Sequence, residues 1–369
     1  MTRRIAIIGG GNGGQAFAAY FTQHGHSVKL YDAFESTVNA INERGHIELI
    51  GGLELDVPFA NAYTDMGEVV ADAEIIVIIN PSTFHRGIAF ELAKHLKPGQ
   101  IVFLNPGATF GSFAFKEALD DAGYQGDVLI AESNILLFAC RMRELGKVFI
   151  GAKKDRILVS AFPADKISLI EPTIRDIIPE TQFVKNVLAT AIDNTNPTVH
   201  PMPTVFNIGW LESGQEFSFM QQAVSPTLSD YMERMDAERI AVGRKLGLTK
   251  NVDMFDLFQQ YEAEYGVYGK KTLHDVFMAC DAYTYIYGPK DIKTARYIVE
   301  DVGMGLVPLV SVGEMLGVDV SCSRLVIEVC KKVLGMDYSS VNTCRNVENL
   351  GIAGMSAEQI IQYAQTGTK

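Results

Sequence analysis

RIAIIGGGNGG, residues 4–14, is the stretch that decides the fold of this 369-residue chain. Residues 4–9 form a short apolar run that is typical of a fully buried strand, and helical spacing of apolar residues follows from Gln15 to His24. A second strand is predicted from Ser27 to Asp32, so the first 32 residues have the length and order of a βαβ unit.

The glycines of this stretch follow the pattern Gly9-x-Gly11-x-x-Gly14 between the first strand and the first helix. Such glycines permit a tight turn, close approach of a pyrophosphate to the backbone, and close packing of the helix on the strand. The helix N-terminus adds partial positive charge. Although the pattern also recurs by chance, its position predicts a dinucleotide site formed by Gly9, Gly11, Asn12 and Gly14.

Asp32 ends the second strand, 21 residues (32 − 11) after Gly11. A carboxylate at this distance hydrogen-bonds the adenosine ribose hydroxyls of NAD. Ala33 and Phe34 offer no cation for the 2′-phosphate of NADP, so NAD is favoured over NADP. The alternative is that Asp32 only forms a turn.

Further along the chain, strands continue to alternate with helices. Buried strands are predicted at 74–79 and 100–104 with a helix at 87–95 between them, which indicates a doubly wound α/β sheet of the Rossmann type. A hairpin at 46–50 and 53–59 decorates this sheet. Asn80, Pro81 and Asn105 follow two of the strands, at the edge where ligands bind, and are predicted to contact the cofactor, although turn formation alone would also explain them.

The second half of the chain has helical spacing only. Amphipathic runs are predicted at 225–246, 253–265, 321–334 and 357–364. We therefore predict a dinucleotide-binding domain at 1–186 and an all-helical substrate domain at 187–369, with the substrates bound in the cleft where the domains meet.

Composition excludes several classes of partner. A formal net charge of −12 would repel nucleic acid and anionic membranes, which favours small-molecule substrates. The five cysteines have no C-x-x-C spacing, so we expect reduced thiols in a cytoplasmic protein and no metal site. No stretch predicts a membrane span.

Two separate segments carry the residues suited to catalysis. His200 is the titratable ring in a polar, proline-containing stretch at 194–203, and Arg296, Glu300 and Asp301 lie on a helical run. Arg296 and Glu300 could simply pair on one exposed face. Alternatively, Arg296 binds a substrate carboxylate, while Asp301 fixes the tautomer of His200 and stabilises its protonated form.

Six short motifs resemble those of the opine dehydrogenases, the NAD/NADP octopine/nopaline dehydrogenase type, over nearly the whole chain. The bacterial branch, which joins a 2-keto acid to the amino group of an amino acid, is the most similar. The motifs are GNGGQAFAAY (11–20), LNPGAT (104–109), HPMPT (200–204), DAERIA (236–241), RYIVEDV (296–302) and GLVP (305–308).

The resemblance implies a catalytic His200–Asp301 pair and a keto-acid-binding Arg296. It also implies NADH-dependent reductive condensation of a 2-keto acid, with pyruvate expected, and an L-amino acid through an imine. His200 would transfer the proton. A homodimer is a candidate assembly.

Two other functions stay open at this point. Lys185 opens a helix much as the catalytic lysine does in ketopantoate reductases and glycerol-3-phosphate dehydrogenases, which predicts a reductase of simple 2-keto acids with Lys185 as proton donor. The other function is a non-catalytic NAD-binding sensor, which would not need a histidine, an acid and an arginine together in one cleft.

Overall fold

The computed structural model describes residues 1–249, 253–260, 267–284 and 286–369. The chain divides into two compact units, one formed by residues 1–191 together with 362–369 and the other by residues 192–361. The sequence predicts a boundary at residue 186 and places the last residues in the helical domain. No helix among the described residues is long and apolar enough to span a membrane.

Twelve strands build the first unit. They are β1 (Arg4–Ile8), β2 (Ser27–Tyr31), β3 (His46–Gly51), β4 (Leu55–Pro58), β5 (Ala62–Tyr63), β6 (Ile75–Ile78), β7 (Ile101–Leu104), β8 (Leu129–Ser133), β9 (Phe138–Glu144), β10 (Lys147–Lys153), β11 (Ile157–Phe162) and β12 (Thr181–Phe183). Eight of them form one sheet in the order β12-β11-β8-β7-β6-β1-β2-β5. All neighbours in this sheet are parallel except β8 and β11, so the predicted doubly wound sheet is confirmed.

A second sheet, in the order β4-β3-β10-β9, contains the predicted hairpin. β3 and β4 pair antiparallel from His46 opposite Pro58 to Leu49 opposite Leu55. The predicted strands 46–50 and 53–59 leave a two-residue turn at 51–52, and the observed connection is longer because β4 begins at Leu55 rather than at Leu53. Phe138 of β9 packs edge-on against Phe17 of the first helix, with ring centroids 4.9 Å apart, and so attaches this sheet to the core.

Helices complete the first unit. They are Asn12–Gln23, Glu35–Arg44, Met66–Val70, His85–Leu92, Gly111–Asp121, Ile167–Ile177 and Val187–Ile192. The C-terminal helix Ala357–Thr366 returns to this unit, where Tyr363 contacts the rings of Phe113 and Phe162 at 4.9 and 5.2 Å.

The second unit is helical, as predicted. Its helices are Asn196–Val199, Pro201–Phe206, Ile208–Glu212, Pro226–Lys245, Met254–Gln260, Leu273–Ala279, Arg296–Val299, Val307–Met315 and Ser321–Val333, with a π-helical turn at Val302–Leu306. In the described part of this unit, the only extended pairing is an isolated bridge between Ser218 and Tyr287. Residues 261–265 of the helix predicted at 253–265 lie outside the described residues.

The DAERIA motif organises this helical unit through buried charges. The Glu238 carboxylate accepts backbone hydrogen bonds from Cys322 (2.7 Å) and Ser323 (2.8 Å), the first residues after the start of helix Ser321–Val333. Arg239, 1% exposed, donates to Asp236 at 2.7 Å and to the Ile192 carbonyl at 2.5 Å. Buried charges are tolerated only when they are paired in this way, so this motif is explained by the fold.

Candidate active site

The glycine loop after β1 has the shape that a dinucleotide requires. A side chain at Gly14 would place its Cβ 1.7 Å from the Gly9 carbonyl oxygen, whereas a Cβ at Gly11 would meet nothing within 4 Å. Gly14 is therefore needed for close packing, and the space at Gly11 is open to a pyrophosphate. Helix Asn12–Gln23 begins there without a side-chain cap or an acidic residue in its first turn, so its N-terminus can accept an anion.

The side-chain carboxylate of Asp32 accepts hydrogen bonds from two backbone amides, one of them in this loop. Its Oδ2 accepts a hydrogen bond from the Gly10 amide at 2.7 Å, and its Oδ1 accepts one from the Phe34 amide at 3.0 Å. Each carboxylate oxygen retains acceptor capacity for a ribose hydroxyl. The carboxylate thus lies beside the glycine loop, as a ribose-binding acid must.

The structure also gives the Asn12 side chain a role within the fold. Its Oδ1 accepts a hydrogen bond from the Met142 amide of β9 at 3.2 Å. Gln15 makes a similar link, since its Nε2 donates to the Gly10 carbonyl at 2.6 Å and its Oε1 accepts from the Gly146 amide at 2.8 Å. The second sheet therefore supports the glycine loop, a relation that sequence reasoning missed.

Asn80 and Asn105 lie beyond the carboxyl ends of β6 and β7, neighbouring strands of the large sheet. Asn80 packs against Gly9, where an added Cβ would be 2.7 Å from its Oδ1. Within the described residues, Asn80 Oδ1 and both polar side-chain atoms of Asn105 are buried without a hydrogen-bond partner. Pro81 forms a turn, because its carbonyl accepts from the Phe84 amide at 2.9 Å. Unsatisfied amides at this edge fit a polar ligand such as a dinucleotide.

In the helical unit, His200 and Asp301 meet although they are 101 residues apart in the chain. His200 Nδ1 lies 2.8 Å from Asp301 Oδ2, and the two side chains are 24% and 11% exposed. An aspartate at this position accepts the Nδ1 proton, which leaves the lone pair of a neutral imidazole on Nε2. Nε2 forms no hydrogen bond with any described residue, so it can accept or donate a proton.

A π-helical turn positions Asp301 for this contact. The Asp301 amide donates to the Arg296 carbonyl at 3.0 Å, and the Leu306 amide donates to the Asp301 carbonyl at 2.9 Å, both with i→i−5 spacing. Gly305 allows this wide turn to lie against Pro197, whose Cγ would be 2.3 Å from an added Cβ. Because Pro197 precedes His200 by three residues, this close packing holds the segments of His200 and Asp301 together.

Arg296 lies on the same segment and pairs with Glu300. Its Nε donates to Glu300 Oε2 at 2.5 Å, while its own side chain is 67% exposed and that of Glu300 is 8% exposed. The terminal nitrogens Nη1 and Nη2 make no hydrogen bond to a described residue. The local pair expected from i,i+4 spacing is therefore present, and it leaves the fork of the guanidinium available for a carboxylate.

Lys185, the residue on which the alternative reductase depends, lies in the first unit. Its side chain is exposed. One buried residue, Asn186, separates it from the start of helix Val187–Ile192. The structure brings His200, Asp301 and Arg296 together on neighbouring segments of the second unit.

Comparisons with known proteins match two family models to two different parts of the chain. Residues 183–334, which include His200, Arg296 and Asp301, match the family model for the alpha-helical domain of NAD/NADP octopine/nopaline dehydrogenase. Residues 4–107 match the model for the N-terminus of NAD-dependent glycerol-3-phosphate dehydrogenase, a range that ends before Lys185.

Three known proteins resemble this chain along its whole length. Opine dehydrogenase of Arthrobacter sp. (strain 1C) is 33% identical over 97% of this chain and 98% of its own. Vitopine synthase of Allorhizobium ampelinum (strain ATCC BAA-846 / DSM 112012 / S4) is 26% identical over 97% of this chain and 98% of its own. The structure of an octopine dehydrogenase with NADH and L-arginine covers 100% of this chain and 99% of its own, with a TM-score of 0.79 at 18% identity.

Proposed function

This chain belongs to the opine dehydrogenase family, and we propose that His200, Asp301 and Arg296 carry out its reaction. It is an NAD-dependent oxidoreductase acting on a CH–NH bond, which reductively condenses a 2-keto acid with the amino group of an amino acid. The observation that carries the assignment of residues is the 2.8 Å contact between His200 and Asp301 beside the free end of Arg296.

The reaction balances as a condensation followed by a reduction. The amine adds to the keto carbon, and loss of water gives an imine. NADH, when bound, supplies a hydride to the imine carbon, and one proton completes the secondary amine. The protein must therefore release a neutral amine from its ammonium form, hold the keto acid, and deliver one proton.

His200 performs the proton transfers. With Nδ1–H donating to Asp301, the neutral ring accepts a proton at Nε2 from the incoming ammonium. The resulting imidazolium is stabilised by the Asp301 carboxylate, as in other histidine–acid pairs. The same Nε2 proton is then available for the nitrogen at which the new C–N bond is reduced.

Arg296 holds the carboxylate of the keto acid. A carboxylate that meets Nη1 and Nη2 forms two parallel, charge-assisted hydrogen bonds. The bond from Nε to Glu300 fixes the plane of the guanidinium, which orients this fork. Replacing Arg296 with Lys keeps the charge but removes the fork, so the KM for pyruvate should rise by roughly tenfold or more.

The cofactor is NAD. Gly9, Gly11 and Gly14 provide the pyrophosphate turn, Asp32 accepts from the ribose, and Asn80 and Asn105 supply polar groups at the carboxyl edge of the sheet. The Asp32 carboxylate would repel the 2′-phosphate of NADP, and the exposed neighbours Ala33 and Phe34 carry no charge that could compensate.

We also propose that the reaction takes place in the cytoplasm, where reduced thiols persist. Cys140, Cys322, Cys330 and Cys344 are free thiols. A homodimer stays a prediction from sequence.

The proposal is tested by following NADH oxidation with pyruvate, with and without a mixture of L-amino acids, for wild type, His200→Ala and Lys185→Ala. We expect oxidation only when both substrates are present, with His200→Ala inactive although it still binds NADH, and with Lys185→Ala active. Reduction of pyruvate alone, lost in Lys185→Ala and retained in His200→Ala, would replace this proposal with the simple keto-acid reductase. NADH binding without oxidation in any condition would indicate the sensor.

A further inference from the structure

His200 is held on a stack of aromatic rings as well as by Asp301. Its imidazole lies 4.4 Å from the ring of Tyr297, with 29° between the planes. The ring of Phe219 stacks on the other face of Tyr297, with ring centroids 4.9 Å apart and 17° between the planes. The three rings therefore follow one another face to face, in the order His200, Tyr297, Phe219.

The far end of this stack is rigid. Phe219 is fully buried, and its amide donates to the Ile286 carbonyl at 2.7 Å. The segment that carries Tyr297 is fixed as well, since the Ile298 carbonyl accepts from the Tyr338 hydroxyl at 2.8 Å and the Ile298 side chain is buried. A half-buried Tyr297 thus presents a fixed face to the imidazole.

The hydrogen bond and the stack constrain different motions of His200. A hydrogen bond from Nδ1 to Asp301 holds one edge of the ring but lets the ring swing about the bond axis, which moves Nε2. A planar partner against the ring face prevents that swing, because tilting the imidazole would open a gap on one side and close the contact on the other. Both contacts are needed to fix the direction of Nε2.

We propose that Tyr297 is a positioning residue: its ring face sets the plane of the His200 imidazole and so aims Nε2 at the reacting nitrogen. This inference rests on the proposed function. The face of the Tyr297 ring performs this role, and the tyrosine hydroxyl is not required for it. Phe219 supports Tyr297 from behind, so Tyr297 and Phe219 act on the proton transfer through His200.

Three variants separate the ring face from the hydroxyl and from simple packing. Tyr297→Phe keeps the face and removes the hydroxyl, Tyr297→Leu removes the face, and Tyr297→Met fills a similar length with a flexible chain. Tyr268→Leu is the matched control, because Tyr268 is 62% exposed in the same helical unit. Each is assayed for kcat and KM with pyruvate and the L-amino acid mixture, for the Kd of NADH, and for the melting midpoint.

We expect Tyr297→Phe to retain most of the wild-type kcat. Tyr297→Leu should lose roughly tenfold to a hundredfold in kcat, the effect of misplacing a reacting group by about 1 Å, with little change in the KM for pyruvate or the Kd of NADH. If the leucine variant does not fold, Tyr297→Met must show the same loss. A wild-type kcat in the folded leucine or methionine variant would overturn the inference, and so would an equal loss in Tyr297→Phe.

Failure of this inference differs from failure of the proposed function. A wild-type protein that oxidises NADH without the amino acids, or a fully active His200→Ala, removes the function itself and the positioning role with it. A wild type that needs both substrates, an inactive His200→Ala and a fully active Tyr297→Leu remove only the role of the stack.

Discussion

Replacing Gly305 with alanine should separate His200 from Asp301, the proposed catalytic pair. The new Cβ would be 2.3 Å from Pro197 Cγ, about 1.1 Å short of the 3.4 Å at which ordinary contact begins. A proline ring cannot rotate away, so the π-helical turn and the segment before His200 must move apart. If all of this movement reached the pair, the Nδ1–Oδ2 distance would grow from 2.8 Å to about 3.9 Å, beyond hydrogen-bond range.

The expected result is a loss of roughly a hundredfold in kcat, since such a displacement misplaces the proton-transfer group. Overpacking should also lower the free energy of unfolding by about 1–3 kcal/mol. Steady-state NADH oxidation with both substrates measures the first effect, and thermal or urea unfolding measures the second. The Kd of NADH should not change, because the glycine loop lies in the other unit.

Two further variants make this prediction specific. Gly209→Ala adds the same methyl group in a helix where nothing lies within 4 Å, and it should leave kcat unchanged. Combining Gly305→Ala with Pro197→Ala removes the Cγ that would clash and should restore part of the activity, a coupling that a double-mutant cycle measures. A folded Gly305→Ala enzyme with wild-type kcat would refute the reasoning.

Three other predictions follow from the site and its surroundings. Asp301→Asn should lower kcat by roughly 10²–10⁴-fold in steady-state assays, because an amide can hold His200 in the wrong tautomer; a change within the error of the assay would contradict the proposed pair. Asp32→Ala should raise the Kd of NADH by roughly tenfold to a hundredfold in a fluorescence titration through loss of charge-assisted hydrogen bonds, and an equal Kd would exclude Asp32 from ribose binding. Burial raises the pKa of the Cys140 thiol to about 11, so at pH 8 only about one molecule in a thousand carries the thiolate; peptide mapping should show slow alkylation in the native protein and fast alkylation in urea, and fast native labelling would contradict the packing.

The parallel sheet could be predicted because its signals are local. The apolar run of β1 and the glycines that follow it are adjacent in sequence. Gly9, Gly13 and Gly14 each have a steric reason in the structure, whereas the space around Gly11 is open. β9 was missed because its residues, from Phe138 to Glu144, include charged side chains and gain their strand conformation by pairing with β10. Such pairing depends on tertiary context, which strand propensity does not contain.

The return of the C-terminal helix and the π-helical turn were missed for a similar reason. Tyr363 is buried by the rings of Phe113 and Phe162, far away in the chain. The i→i−5 spacing at Asp301 depends on Gly305 fitting against Pro197, a contact over more than a hundred residues. Helical periodicity predicts neither feature.

For the candidate site, sequence indicated which residues to pair but not how they are held. Sequence analysis linked His200 and Asp301 first as one chemical alternative and then through the resemblance to a family, and the structure places them in hydrogen-bond contact. The support for that contact, from Tyr297 and Gly305, is visible only in three dimensions.

The most direct test of the central claim is the mass of the product formed from pyruvate and a mixture of L-amino acids with NADH that carries deuterium at the transferred position. We predict an N-(carboxyethyl) amino acid with one deuterium on the new C–N carbon, formed by wild type and absent with His200→Ala. Deuterated lactate as the product, with no secondary amine, would contradict the account.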